Sequence, residues 1–260
     1  MKIFLCATLF LIPSVVMGQQ PITVEGQQFE NIQSLHDYIT QNQPDPSAQD
    51  SYYEPHLKAS ALLEYAKYDP KGAREIALSE MASPHPRIAV MGLLFLDDTE
   101  IPELTDSFRT NLKCETFYWH LACIERYGSG ELLPDVVKLY ELHKGTWACD
   151  IADRCLGFIV KHDRARGLAL VEEAVTLRAE TGCYHEVLHE VLVTYPGADV
   201  LELSLKYIGD NDERVAQSAA TVAYSQEGGK EKLRAILTNQ PYRLSSRMRT
   251  YIELLVGAPN

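Results

Sequence analysis

The feature that most limits the fold is a helix–turn–helix pattern that returns along the chain. Its clearest copy runs from Ala198 to Thr238. It reads as a helix-period stretch (Asp199 to Ile208), a turn at Gly209-Asp210-Asn211, a second stretch (Glu213 to Ser225), a turn at Gly228-Gly229, and a third stretch (Lys230 to Thr238). Each stretch gathers its apolar residues on one stripe, which it cannot bury alone. The pattern recurs elsewhere in weaker form. The second helix of each hairpin starts near His85, Lys113, Thr146, Gly182, Asp212 and Ser245, at intervals of 28 to 36 residues. Stacked units of this kind bury a continuous core between neighbours.

From about Lys58 the helical period holds throughout. It predicts helices over Ala59 to Tyr68, Lys71 to Met81, Arg87 to Phe95, Ile101 to Arg109, Cys114 to Tyr127, Pro134 to His143, Ala148 to Val160, Arg164 to Arg178 and Tyr184 to Thr194. The breaks carry turn chemistry. Asp69 can cap a helix that Pro70 opens. Ser83-Pro84-His85-Pro86, Gly128-Ser129-Gly130, Gly145, Gly182 and Pro196-Gly197 interrupt the others. No run alternates with strand period, so an all-α fold is expected. Residues 19–57 differ: they are polar, with one expected helix from Ile32 to Thr40 and a linker composition over Gln41 to Asp50. Tyr52 and Tyr53 are where this segment is expected to meet the helical body.

Residues 1–18 resemble a secretory leader. Lys2 gives the positive start, Ile3 to Leu11 is apolar, and Val16-Met17-Gly18 precedes a cut at Gln19. Cys6 lies inside the apolar run, which does not fit an acylated cysteine. The apolar stretch is too short and interrupted for a bilayer span. A periplasmic or secreted product with no stable membrane span after cleavage is expected. Its charge excludes one class of partner. The chain has 24 Lys+Arg against 36 Asp+Glu, a net charge of −12, and loss of Lys2 makes it −13. Such a chain repels phosphate backbones, so no nucleic acid is expected as partner. A basic protein would be attracted.

The repeating stretch resembles the HEAT-like repeats. The best match is Leu203 to Leu237, where the Asp-rich turn Asp210-Asn211-Asp212 leads into Glu213-Arg214-Val215-Ala216, and Ala219, Ala220 and Ala223 continue a face of small residues. Leu156-Gly157 is similar to the Leu-Gly often seen in their second helix. The resemblance covers most of residues 58–257. It implies an α-α superhelix, a solenoid of about six hairpins. It also implies a non-catalytic function in protein recognition: an envelope scaffold, or an acidic inhibitor of the immunity type. No catalytic residue, cofactor or metal ligand is assigned.

Once Cys6 leaves, Cys114, Cys123, Cys149, Cys155 and Cys183 remain, an odd number. Pairs on one helix are too far apart along the axis for a bridge. Cys123 and Cys155 sit at similar depth in successive second helices and form the expected disulfide; burial as small hydrophobes is the competing reading. His185-Glu186-Val187-Leu188-His189 has the spacing of a zinc site, with both histidines on one helical face and Glu186 placed to activate water. A zinc-dependent hydrolase is therefore the alternative. Against it, Glu190 follows the second histidine, the sheet of such enzymes is missing, and only Glu202 or Glu213 offer a third ligand. Tyr184, Val187, Leu188, Val191 and Tyr195 read instead as a core stripe. The other histidines (His36, His56, His85, His120, His143, His162) read as surface or boundary residues. Paired acids such as Asp97-Asp98 and Glu172-Glu173 read as caps and solvated turns. Phe117, Tyr118, Trp119, Tyr127 and Tyr140 concentrate aromatic mass mid-array; most are expected in the core, with Tyr118 or Trp119 left as an exposed anchor.

Overall fold

The structure is a computed structural model that describes residues 21–40, 53–83, 89–112, 118–144, 149–177, 184–239 and 244–257. The fold is all-α apart from one short hairpin. Among the described residues there are fourteen α-helices. In chain order they are α1 (Ile32–Thr40), α2 (Tyr53–Ala66), α3 (Pro70–Ala82), α4 (Ala89–Phe95), α5 (Thr105–Asn111), α6 (Tyr118–Tyr127) and α7 (Leu133–His143). Then follow α8 (Cys149–His162), α9 (Arg164–Thr176), α10 (Tyr184–Leu192), α11 (Ala198–Tyr207), α12 (Glu213–Ser225), α13 (Gly229–Asn239) and α14 (Ser246–Val256). The expected leader, the 41–50 linker, Tyr52, Phe117, Cys114 and Cys183 lie outside the described residues. Two compact units divide the chain, Met1–Ala73 and Arg74–Asn260.

The first unit corrects the expectation of no strands. β1 (Ile22–Val24) and β2 (Gln27–Phe29) pair antiparallel, Ile22 opposite Phe29 and Val24 opposite Gln27. Glu25 and Gly26 form the connection with φ of 47° and 89°. Positive φ at both central residues is what a tight hairpin turn needs, and glycine adopts it freely. Ile22, Val24 and Phe29 point inward. Phe29 packs against Tyr38 of α1 with the rings tilted by 51° and centroids 5.2 Å apart. α1 runs as expected and buries Leu35 and Ile39. Asn31 and Ser34 cap it reciprocally: Ser34 N donates to Asn31 Oδ1 at 2.9 Å, and Asn31 N to Ser34 Oγ at 3.1 Å. α1 packs on α2, and β1 on α2. Tyr65 OH and Gly72 N both donate to Asp69, at 2.9 Å each, so Asp69 caps α3 as its sequence implies.

In the second unit, each even-numbered helix packs on the next even-numbered one: α4 on α6, α6 on α8, α8 on α10, α10 on α12 and α12 on α14. Odd-numbered helices pair with them, α7 and α9 on α8, α9 on α10, α11 and α13 on α12, and α13 on α14. α6 and α8 are therefore enclosed from several sides, and Leu121, Ile124, Tyr127, Leu156, Phe158 and Ile159 are all at most 1% exposed. Tyr127 and Tyr140 lie in this core as expected. The small residues Ala216, Ala219, Ala220 and Ala223 let α12 approach its neighbours closely. Side-chain caps open several of these helices. Asp163 opens α9, Asp212 opens α12 and Ser245 opens α14, each accepting from a first-turn backbone N–H.

Candidate functional site

Among the described residues the most enclosed carboxylate is Glu125, near the C-terminal end of α6. Residues 121–124 (Leu-Ala-Cys-Ile) bury the helix there, and the same winding carries Glu125 inward, leaving it 7% exposed. Two donors meet its carboxylate. Arg154 of α8 donates from Nη1 to Oε2 at 2.9 Å. Tyr195, just beyond α10, donates its hydroxyl to Oε1 at 3.0 Å. Gly157 of α8 supplies the room: a Cβ there would lie 2.7 Å from Glu125 Cδ and collide with Oε1. Burial raises the Glu125 carboxyl above its ordinary range, with Arg154, Tyr195 and Lys161 working against that shift. Burial and the neighbouring carboxylate also push the Tyr195 phenol up. Arg154 and Tyr195 engage both carboxylate oxygens, and Gly157 closes a further side. This arrangement suits joining α6, α8 and the end of α10 better than transferring protons to a substrate.

Lys161 reinforces the same corner. Its Nζ donates to the carbonyls of Arg126 at 2.6 Å, Glu125 at 3.2 Å and Thr99 at 2.7 Å. A cation against the last carbonyls of α6 satisfies acceptors that the helix leaves open. Burial lowers the Lys161 pKa despite Glu100 and Glu125. Beside it His162 packs on Phe158 at 4.3 Å between centroids, with Nδ1 3.7 Å from Glu100 Oε1.

His120 of α6 departs from the expectation that the isolated histidines lie at surfaces. It is 2% exposed, because α6 is covered by both α4 and α8. Its ring stands at 82° to that of Phe108, with centroids 5.6 Å apart, and neither ring nitrogen has a hydrogen-bond partner among the described residues. Burial drives its pKa down to about 4, so the neutral imidazole is the resident form.

The structure does not form the expected Cys123–Cys155 bridge. Both sulfurs are thiols, buried in adjacent helices α6 and α8. Burial raises each to about 12, which suppresses the thiolate through which disulfides form. The physical reason is that these positions belong to the apolar core, where cysteine packs as a small hydrophobe.

For the zinc alternative, the side chains of His185 and Glu186 lie outside the described part. His189 is about half exposed, with Nδ1 3.4 Å from Glu190 Oε1. Val187, Leu188 and Val191 form the buried stripe expected of that helix, joined by Leu192. Tyr195 leaves it for Glu125. Of the two third-ligand candidates, Glu202 is exposed on α11, and Glu213 accepts from Ser245 at 2.8 Å. Among the described residues no group of three or more His, Cys, Asp or Glu is placed to hold a metal ion.

Sequence reasoning overlooked Glu125, Arg154 and Lys161. A signal exists for the Glu125–Arg154 pair: opposite charges recur at separations of 29 to 34 residues. Glu125 meets Arg154 29 residues on, Lys144 meets Glu173 29 residues on, and Glu172 meets Lys206 34 residues on. Protein-family models, curated proteins and solved structures were compared with the chain, and none matches it. Among the described residues no helix is long and apolar enough to cross a membrane.

Proposed function

We propose that the chain is a non-catalytic protein-binding solenoid of HEAT-like hairpins, exported to the periplasm or the exterior, with a basic protein as its partner. The observation that carries the reading is the succession of even-numbered helices, each packed on the next, with polar ties at one-unit spacing. Tyr127 OH reaches Leu96 O across 31 residues, Gly197 N reaches Gln226 Oε1 across 29, and Thr221 reaches Tyr251 across 30. Units repeated in this way offer an extended surface, which suits recognition of another chain. A net charge of −12 favours a basic one. A scaffold of the cell envelope and an acidic inhibitor both fit.

The test is affinity capture by the tagged mature chain, from Gln19 onward, in an extract of its own compartment. A stoichiometric basic protein is the expected product. Recovery of no protein at low salt would overturn the reading. Stoichiometric zinc that is lost in His189→Ala, together with a hydrolytic activity, would put the metallohydrolase in its place.

A further inference from the structure

We infer that the C-terminal ends of α10, α12 and α14 form one apolar, acid-rimmed docking edge for a basic, apolar segment of another protein. This rests on the protein-binding reading above and names the surface. Three large apolar residues stay exposed there, one at each helix end: Val193 at 38%, Tyr224 at 39% and Leu254 at 76%. Single exposed leucines, such as Leu94 and Leu142 elsewhere, need no explanation. Three on successive packed helices do.

Two hydrogen bonds bring them together. Thr221 Oγ1 and Tyr251 OH lie 2.7 Å apart, which sets the register of α12 against α14. Tyr224 and Leu254 each follow those residues by three positions, so both lie one turn further on the same side. Gly197 N donates to Gln226 Oε1 at 2.9 Å and so pins the residues just beyond α10 to those just beyond α12. Packed helices stand about 8–10 Å apart, so the three side chains span roughly 16–20 Å. A segment of about six extended residues covers that length.

Charge decides the occupant. Glu190 is more than half exposed beside Val193, Glu227 is exposed beyond Tyr224, and Glu253 precedes Leu254 with partial exposure. Two cations at these ends are already engaged: Arg164 with Asp199 and the carbonyls of Tyr195 and Pro196, and Arg234 with the carbonyl of Val256. Lysine or arginine next to apolar side chains complements this surface, whereas an acidic segment is repelled.

The test uses the full mature chain and two fluorescent peptides of about six residues, leucines interleaved with either lysines or glutamates. Fluorescence anisotropy is read for wild type, for the Tyr224→Ser/Leu254→Ser double variant, and for Leu94→Ser as a surface control. Thermal melts verify that all three fold. The leucine–lysine peptide is expected to bind at least about tenfold more tightly than the leucine–glutamate one, and about tenfold more weakly to the double variant. Leu94→Ser is expected to bind like wild type. Equal affinity for both peptides, no binding, or equal loss in Leu94→Ser overturns the proposal. So does self-association that the double variant abolishes, which would give the edge to a second copy. If the double variant still captures the extract partner as wild type does, the edge is wrong while the binding reading stands. If wild type captures nothing, that reading falls instead.

Discussion

Replacing His120 with leucine tests the burial of α6 through its dependence on pH. The imidazole is enclosed, stands at 82° to the Phe108 ring, and has no described partner at either nitrogen. Protonating it would place an uncompensated charge in the core, which is why its folded pKa sits at about 4. Its folded value lies below the unfolded one, near 6.5, so its contribution is complete above that value and is lost as pH falls towards 4. The gap corresponds to roughly 3 kcal/mol between neutral and acid conditions. Leucine cannot take up the proton. It also removes two desolvated nitrogens, a gain of about 1–3 kcal/mol that does not vary with pH, set against any cost of repacking. The assay is urea unfolding followed by tryptophan fluorescence at a series of pH values. The stability difference, variant minus wild type, is expected to grow by about 3 kcal/mol between pH 7 and pH 4. A constant difference across that range would mean that His120 is solvated or partnered in solution, and the enclosure of α6 would be refuted.

Three further outcomes are expected. Glu125→Ala removes the acceptor of the Arg154 Nη1 and Tyr195 hydroxyl bonds and should cost about 2 kcal/mol, below the figure for a fully buried pair because Arg154 is partly solvated. Burial raises the Glu125 pKa, so its contribution is full below the unfolded carboxyl value and is lost as pH rises through the folded one. Wild type should therefore lose stability relative to Glu125→Gln as pH rises from about 4 towards 7, and parallel profiles would contradict the assigned burial. Gly157→Ala should cost about 1–3 kcal/mol by displacing the Glu125 carboxylate. In the Glu125→Ala background that cost should largely vanish, and a double-mutant cycle with no coupling would show that the two do not touch. Cys123 and Cys155 should resist a thiol reagent in the native state and react after denaturation, and peptide mapping without reductant should show no bond between them.

Much of the helical layout was legible because its signals are local. α1 and α12 fall on their expected bounds, since capping residues and an apolar stripe frame each of them. Other ends shift by a few residues, as at α5, where a 3-10 turn over Pro102–Leu104 precedes the helix. The β-hairpin was hidden because three-residue strands contain too few alternations to stand out from polar sequence. Only Glu25-Gly26 hinted at it. The Glu125 cluster was hidden for another reason. Its members come from positions 125, 154 and 195, and the bond from Tyr195 crosses 70 residues. No local pattern joins them; only the packing of helices distant in sequence does. The same holds for His120, whose burial follows from helices on both sides of α6. The cysteine pair shows the converse limit, since equal depth in neighbouring helices placed both thiols in the core without bonding them.

Association kinetics of the captured partner with the mature chain, measured from about 50 to about 500 mM salt, test protein recognition by an acidic surface most directly. The expected result is an association rate that falls steeply with salt while dissociation changes much less. An association rate indifferent to salt would contradict a basic partner steered by this chain's charge.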